Sequence, residues 1–175
     1  MVQSYCQFCL NEPENSIHKR YHDTEYGFPL TDDNQLFARL VLEINQAGLS
    51  WTTILKKTAN FHAAYHNFVI ASVANYTEVD RQRLMADAGI VRNRLKINAA
   101  IVNAQRLLVI QQKQGSFNLW LDSHRILTKE QWTALFKETF LFTGGKIVNE
   151  FLMSTAYLSG AHEENCPIYA KIARL

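Results

Sequence analysis

Apolar residues recur at spacings of three and four along almost the whole chain, and this periodicity restricts the fold more than any other feature. No convincing stretch alternates apolar and polar residues with the period of two that marks a half-buried strand. Glycine and proline, with 7 and 3 of the 175 residues, seldom interrupt the pattern. The sequence therefore predicts an all-α protein whose only irregular part is an arm at about residues 1–30.

Residues that favour helix ends divide this pattern into separate helices. Asp32, Asp33 and Asn34 offer N-caps for a helix that runs through Ala47 and is ended by Gly48. No internal repeat, low-complexity tract or linker interrupts the series, so residues 1–175 are expected to form a single helical domain. The remaining predicted helices are 51–68, 77–88, 93–113, 128–140 and 145–158.

Composition narrows the function classes. The chain has no apolar run of about 18 residues and no basic segment followed by an apolar one at its start, so neither a membrane span nor a secretory signal is expected. We therefore expect a cytoplasmic protein. A net charge of +2 permits a nucleic-acid partner without arguing for one. Three cysteines, an odd number, fit free thiols or metal ligands better than disulfides.

Cysteine and histidine residues gather at two distant places, as metal ligands would if a metal joined the two ends of the chain. Four ligands of the sulfur and nitrogen type make a closed structural zinc site. Spacing alone leaves the ligand set open, because both the Cys-x2-Cys pair and a Cys-x12-His pair are possible. The residues concerned are Cys6, Cys9, His18, His22, His162 and Cys166.

The other histidines are weaker candidates. His62 and His66 are four residues apart, but the pair lacks the glutamate of a zinc-protease helix and is expected on a solvated helix face. His18 and His124 are likewise expected at the surface.

Glu43 occupies an unusual position in the predicted helix 32–47. Its spacing from Leu36 and Leu40 places it within about 20° of Leu36, on the apolar stripe of the helix. One interpretation is a core glutamate satisfied by backbone donors or an arginine. The other is a pocket carboxylate that accepts hydrogen bonds from a ligand between aromatic side chains. The candidate aromatic residues are Tyr21, Tyr26 and Trp51.

Basic residues crowd the start of the predicted helix 93–113. Arg92, Arg94 and Lys96 follow the turn at Gly89, although a helix N-terminus disfavours positive side chains. An external anion would resolve this conflict, because backbone N–H groups of the turn and the basic side chains could together bind a phosphate. A solvated basic turn is the alternative.

Several of these segments together resemble the DNA-3-methyladenine glycosylase I family, which belongs to the helix-hairpin-helix glycosylases. The resemblance rests on "YHDTEYG", "LEINQAGLSWTTILKK", "DAGIVRNRLKI" and the final His-x3-Cys, and it spans about Cys9 to Cys166. It implies a zinc clip that joins the N- and C-terminal segments. The implied ligands of one structural Zn²⁺ are Cys9, His22, His162 and Cys166, which leaves Cys6 without a role.

The same resemblance assigns roles to the other candidate residues. It places Glu43, Tyr21 and Trp51 in the base pocket, with Tyr26 as a mild change of an aromatic position. Gly48 and Leu49 correspond to a wedge that fills the gap left by a flipped nucleotide. The hairpin corresponds to the segment from Gly89 to Lys96, and Gly89, Arg92, Arg94 and Lys96 are its expected DNA contacts.

The implied activity is that of a monofunctional glycosylase in base-excision repair. Such an enzyme flips 3-methyladenine out of alkylated double-stranded DNA, hydrolyses its glycosidic bond and releases the free base. No Asp occurs between Asp87 and Asp122 to stabilise the sugar cation, which suits a leaving group that is already cationic. A DNA-binding or damage-sensing module without base release is the alternative. A zinc hydrolase is disfavoured, because four protein ligands leave no open position. We expect a monomer.

The sequence departs from the family pattern at several positions. Asn11 replaces an aromatic residue two positions after Cys9, and Leu95 replaces a typical glycine in the hairpin. Gly145 and Lys146 stand where small hydroxylated residues are often found. These changes concern the DNA face and the pocket wall more than the zinc clip.

Overall fold

Helices account for all the regular structure in the computed structural model, which describes residues 4–174, and no strand occurs in that part of the chain. The all-α fold class is confirmed. The helices are α1 Tyr5–Leu10, α2 Ile17–Thr24, α3 Asp33–Gln46, α4 Trp51–Ala64, α5 Ile70–Ala74, α6 Glu78–Ala86, α7 Arg94–Gln114, α8 Phe117–Asp122, α9 Lys129–Thr139, α10 Gly145–Ser154 and α11 Pro167–Ile172. None of the helices within residues 4–174 is long and apolar enough to cross a membrane.

Helix α3 forms the centre of the fold. The Asp32 side chain accepts a hydrogen bond from the N–H of Gln35 and so caps the helix as predicted. Every residue from 36 to 45 is buried, because α4, α5, α7, α8 and α10 pack around it. A helix buried on all sides offers no solvated face. Its polar residues must therefore find partners inside the protein or face a cavity.

Helices α6 and α7 form the predicted hairpin. Thr77 and Asp80 make a capping box at the start of α6, and Asn93 caps α7 by accepting from the N–H groups of Leu95 and Lys96. Helix α7 ends at Gln114, and Gly115 is its C-cap. Both helices agree with the predicted ranges to within two residues at each end.

Several parts of the chain differ from the prediction: α5, α8 and α11 were not predicted, and α10 ends at Ser154 rather than at 158. The arm expected to be irregular contains α1 and α2, which are capped by Ser4 and Ser16. The helix expected over 51–68 ends at Ala64, because residues 66–68 adopt left-handed φ angles of 51° to 57° in a 3-10 turn. This turn returns Phe68 to the core, where its ring stacks on Tyr65.

Candidate active site and metal-ligand cluster

A cavity of about 310 Å³ lies beside the last turns of α3, a size suited to a small ligand. Its walls come from α1, α2 and the turn after it, the end of α3, the start of α4, and α10. The lining residues are Tyr5, Tyr21, Tyr26, Glu43, Gln46, Trp51, Lys146 and Glu150. The structure thus brings together all four residues that the resemblance placed in one pocket.

Glu43 is the buried polar residue of this cavity. Glu43 is only 5% exposed. Its carboxylate makes no hydrogen bond or ion pair with any residue between 4 and 174. Burial raises the pKa of Glu43 to about 8, with Arg39 opposing this change and repulsion from Glu150 adding to it. A buried carboxylate without a partner is costly, and a ligand that brings a donor or a positive charge would offset the cost.

Arg39, one helical turn before Glu43, does not satisfy it. The Arg39 Nη1 instead donates to the Tyr21 hydroxyl at 2.6 Å, and its Nη2 lies 3.5 Å from Glu25 Oε2. The Arg39 guanidinium is also 4.9 Å from the centroid of the Tyr21 ring. Arg39 therefore holds Tyr21 in place, and the interpretation of Glu43 as a satisfied core residue finds no support in these contacts.

The rings of Tyr21 and Trp51 touch each other in this structure. Their centroids are 5.2 Å apart and their planes are tilted by 60°. A base held between two rings needs about 7 Å, since each stacking contact takes about 3.5 Å. Tyr21 is buried and bound to Arg39, whereas Trp51 is half-buried at the first residue of α4. A sandwiched base therefore requires Trp51 to move.

Tyr5 is a pocket residue that sequence reasoning missed. Its ring packs edge to face against Tyr26, with centroids 5.5 Å apart. Tyr5 directly precedes Cys6 in helix α1 and lines the cavity from there. Counted from Cys6, which belongs to the metal-ligand cluster described below, the aromatic position two residues on is Phe8, so the departure expected at Asn11 is wrong.

The sequence analysis also did not predict that two charged residues of α10 lie together on the cavity wall. Lys146 and Glu150 are four residues apart and therefore lie on one face of the helix, which forms part of the cavity wall. Burial raises the pKa of Glu150. Lys146 was noted only as a departure from the family pattern, and Glu150 looks like an ordinary surface residue in the sequence.

Four buried side chains form a metal-ligand cluster between α1, α2 and the segment before α11. Their ligand atoms all lie within 4.8 Å of one another. The four sulfur–nitrogen distances are 3.4 to 3.6 Å. A tetrahedral zinc with ordinary bond lengths would set these distances at about 3.5 Å. The cluster consists of Cys6, His22, His162 and Cys166.

Both histidines of the cluster are oriented by a second partner. The Nδ1 of His22 lies 2.7 Å from Asp23 Oδ1, and the Nε2 of His162 lies 2.7 Å from the Tyr26 carbonyl oxygen. Partners of this kind fix the ring so that the other nitrogen faces a metal. The His162 contact also connects the cluster to the wall of the cavity.

The cluster corrects one predicted ligand, because Cys6 occupies the position expected for Cys9. The Cys6 Sγ lies 3.4 Å from His22 Nε2 and 3.6 Å from His162 Nδ1, whereas the Cys9 Sγ is not among the clustered ligand atoms. The Cys9 Sγ lies 3.7 Å from the His18 carbonyl oxygen instead. Burial raises the pKa of the Cys9 thiol to about 11.

The remaining histidines take no part in the cluster. His18 is buried rather than exposed, and its ring bridges the Tyr5 hydroxyl and Thr52 Oγ1. His124 is half-buried against Trp120, so it too is less exposed than predicted. His62 packs edge to face on Phe68, and only His66 is exposed as expected.

The loop between α3 and α4 connects two residues that line the cavity, Gln46 and Trp51. Gly48 has a φ of +82°, a left-handed conformation that glycine adopts without strain, and nothing lies within 4 Å of where its Cβ would be. Leu49 in this loop is 39% exposed. The Gln46 side chain lines the cavity and donates to the Leu49 carbonyl.

The hairpin turn lies against α4. The Gly89 carbonyl accepts from Asn60 Nδ2, and a Cβ on Gly89 would lie 2.9 Å from an Asp87 oxygen. Arg92 is exposed and has no ion pair among residues 4–174. Arg94 is also exposed and lies 3.5 Å from Glu78, a contact that solvent weakens. Both arginines can therefore reach a partner outside the protein.

Lys96 corrects the expected basic cluster. It is only 5% exposed, and its Nζ donates to the carbonyl oxygens of Asn45 at 2.9 Å and Ala47 at 2.6 Å. Burial lowers the pKa of Lys96. Its ammonium points into the protein toward the end of α3, so it is not placed to bind a phosphate.

A helical fold with an aromatic cavity, a buried unpaired carboxylate and a basic hairpin defines the class of helix-hairpin-helix DNA glycosylases. Comparison with known proteins agrees with this class and narrows it. The chain belongs to the methyladenine glycosylase family, whose sequence model matches residues 11–139.

Individual relatives support the family. The chain is 45% identical over 104 residues to DNA-3-methyladenine glycosylase 1 of Escherichia coli K12, a match that covers 59% of this chain and 56% of that relative. It is 32% identical over 173 residues to a DNA-3-methyladenine glycosylase of Haemophilus influenzae, covering 88% and 93% of the two chains. Among solved structures, the chain resembles 3-methyladenine DNA glycosylase I from Staphylococcus aureus, a structure described for its recognition of 3-methyladenine. The two superpose with a TM-score of 0.84 at 33% identity, and the match covers 94% of this chain and 97% of that one.

Proposed function

We propose that the protein is a DNA glycosylase that hydrolyses the N-glycosidic bond of 3-methyladenine in alkylated double-stranded DNA. The observation that carries this proposal is Glu43, a buried carboxylate without a partner on the wall of an aromatic cavity. A cationic base with N–H donors would supply both the charge and the hydrogen bonds that Glu43 lacks. The relatives' activity on the same base supports the choice.

The pocket residues would act on a flipped base. Tyr21, held by Arg39, provides a fixed aromatic surface, and Trp51 moves to cover the other face of the base. Glu43 accepts hydrogen bonds from the base and discriminates against bases that present a different edge. Tyr26 completes the aromatic wall.

Little further machinery is needed for the chemistry, because adenine methylated at N3 is cationic within DNA. The bond between the sugar C1′ and the base breaks with its electron pair going to the base, which leaves as neutral 3-methyladenine. Water adds to C1′ and gives up a proton, so the products are the free base and an abasic site. The lining of the cavity contains no aspartate to stabilise the sugar cation.

The duplex would bind along the hairpin and the α3–α4 loop. Arg92 and Arg94 are exposed and contribute charge, whereas the Gly89 N–H already donates to Asp87 Oδ1 and is not free for a phosphate. Leu49, exposed and preceded by the left-handed Gly48, would enter the space left by the flipped nucleotide.

The cluster of two cysteines and two histidines would hold one structural Zn²⁺. Four protein ligands close the coordination sphere, so the metal stabilises the fold and does not take part in the reaction. When bound, it would fasten α1 and α2 to the segment before α11. Because α1 carries Tyr5 and His162 binds the Tyr26 carbonyl, the same metal would keep two pocket walls in place.

Chromatography of the bases released from methylated duplex DNA tests the proposed activity. We expect the wild-type protein to release 3-methyladenine and Glu43→Gln to release it much more slowly, while both bind undamaged duplex alike. Binding of alkylated duplex without base release by the wild type would instead indicate a damage-sensing module on the same scaffold.

A further inference from the structure

Lys96 is a buried cation that the proposed reaction leaves without a role. No carboxylate lies within ion-pair distance of its ammonium among residues 4–174. Its hydrogen-bond partners are two backbone carbonyls, and the ring of Phe142 has its centroid 5.9 Å away. Burying a lysine with so few partners is costly, and such a cost is commonly retained where the charge has a task.

The two carbonyls belong to the end of α3. The last four carbonyls of a helix have no partner within it, and they carry the negative end of the helix dipole. The Gln46 carbonyl accepts from the N–H of Leu49, whereas the carbonyls of Asn45 and Ala47 accept from Lys96. Lys96 therefore caps α3 from a different helix.

This cap lies between three functional parts of the protein. Lys96 belongs to the first turn of α7, in the hairpin. Ala47, which it binds, directly precedes the Gly48–Leu49 loop. Gln46 lines the cavity and its side chain binds the Leu49 carbonyl. A single ammonium thus connects the hairpin to the loop, and the loop is connected to the cavity.

We propose that Lys96 is a positioning residue that fixes the Gly48–Leu49 loop relative to the hairpin, so that a duplex held by the hairpin meets Leu49 at the damaged nucleotide. This role rests on the proposed glycosylase function and adds a residue to it. Lys96 touches neither the base nor the DNA. It acts through the backbone at Ala47, and its loss should misplace Leu49 while leaving the cavity walls intact.

Lys96→Met keeps the length of the side chain and removes its charge. Lys113→Met is the matched control, because Lys113 is exposed near the other end of the same helix. At saturating enzyme, we expect Lys96→Met to slow base release from duplex by roughly ten- to a hundredfold, as a small misplacement of a positioning group can. Binding of free 3-methyladenine should stay within about twofold of wild type, and Lys113→Met should change neither quantity.

Two further measurements separate this role from others. If Lys96 acts through the loop, Lys96→Met should slow a Leu49→Ala protein by no more than about twofold, so that the two effects are not additive. The salt dependence of binding to undamaged duplex should not change in Lys96→Met, whereas loss of a phosphate contact would lower the slope by about one. Additive effects, or a reduced salt slope, would overturn the proposal.

A binding readout keeps this test independent of the proposed activity. In a duplex with an abasic-site analogue opposite 2-aminopurine, insertion of Leu49 should change the fluorescence, and Lys96→Met should reduce the change as Leu49→Ala does. If the wild type releases no base, the glycosylase proposal fails while this comparison still judges Lys96. Should Lys96→Met not fold by circular dichroism, Lys96→Gln, which keeps an N–H donor, undergoes the same comparisons.

Discussion

Replacing Glu43 by glutamine should make the protein more stable and less active at once. Glutamine keeps the shape of the side chain and one acceptor oxygen, but it cannot carry the charge. The folded protein raises the pKa of Glu43 from 4.5 to about 8, chiefly through burial. That difference corresponds to about 5 kcal/mol between the protonated and ionised forms, as an upper limit.

The effect on stability depends on pH in a defined direction. Between pH 4.5 and about 8 the folded protein retains a proton on Glu43 that the unfolded chain has lost, so the free energy of unfolding falls as the pH rises. Above pH 8 this contribution is lost completely. Glutamine does not titrate, so the melting temperature of Glu43→Gln should rise relative to wild type through this range and then level off. The difference should approach roughly 10–20 °C at most.

The effect on function has the opposite sign. A charged hydrogen bond to the base is worth on the order of 1.5–3 kcal/mol, so Glu43→Gln should weaken binding of free 3-methyladenine by about ten- to a hundredfold. Base release should slow, while affinity for undamaged duplex should hardly change. Glu43→Ala should weaken base binding and slow base release further, because alanine keeps neither the charge nor an acceptor oxygen.

Thermal denaturation of the wild type and Glu43→Gln from pH 4 to 9, with base release measured on the same preparations, tests both effects. Groups that do not interact with Glu43 titrate alike in both proteins, so the difference reports on Glu43 and on its coupling to Glu150. A melting-temperature difference that does not vary with pH would mean that the carboxylate has a partner in the folded protein. If base release were also normal and Glu43→Gln were less stable, Glu43 would be a satisfied core residue and the pocket assignment would fall.

Three further predictions follow from other parts of the structure. Cys6→Ser should lose bound zinc and melt at a lower temperature, whereas Cys9→Ser should keep its zinc. If metal analysis shows the reverse, Cys9 is the ligand. Arg92→Ala should weaken binding to any duplex and lower the salt slope by about one, and an unchanged slope would remove Arg92 from the DNA face. Glu150→Gln removes the repulsion that helps to raise the pKa of Glu43. In a protein that carries Glu150→Gln, the stability difference caused by Glu43→Gln should therefore level off below about pH 8. If this pH does not change, the two carboxylates do not interact.

The sequence predicted those features that are encoded locally. The cap at Asp32 begins α3 as predicted, because a cap residue acts within one turn of its own helix. The position of Glu43 on the apolar stripe was also a local signal, and it led to the cavity. Periodicity alone did not reveal the left-handed turn at 66–68, since Phe68 fits the helical pattern and is drawn into the core instead.

Features that depend on distant contacts were the ones predicted wrongly. The choice between Cys6 and Cys9 is made by how α1 faces His162, a residue more than 150 positions away. Lys96 looks like its neighbour Arg94 in sequence, and only the docking of α7 onto the end of α3 buries it. Glu150 carries no local mark of its place on the cavity wall.

The span of the metal-ligand cluster also sets an order of events during synthesis. Its ligands run from Cys6 to Cys166, so the cluster cannot close until almost every helix has left the ribosome. Contacts so far apart in sequence form late, because the intervening chain must first be ordered. The core around α3 can assemble earlier, whereas Tyr5 and Tyr26 reach their final places only when His162 arrives. A nascent chain would therefore acquire its scaffold first and its ability to hold a damaged base last.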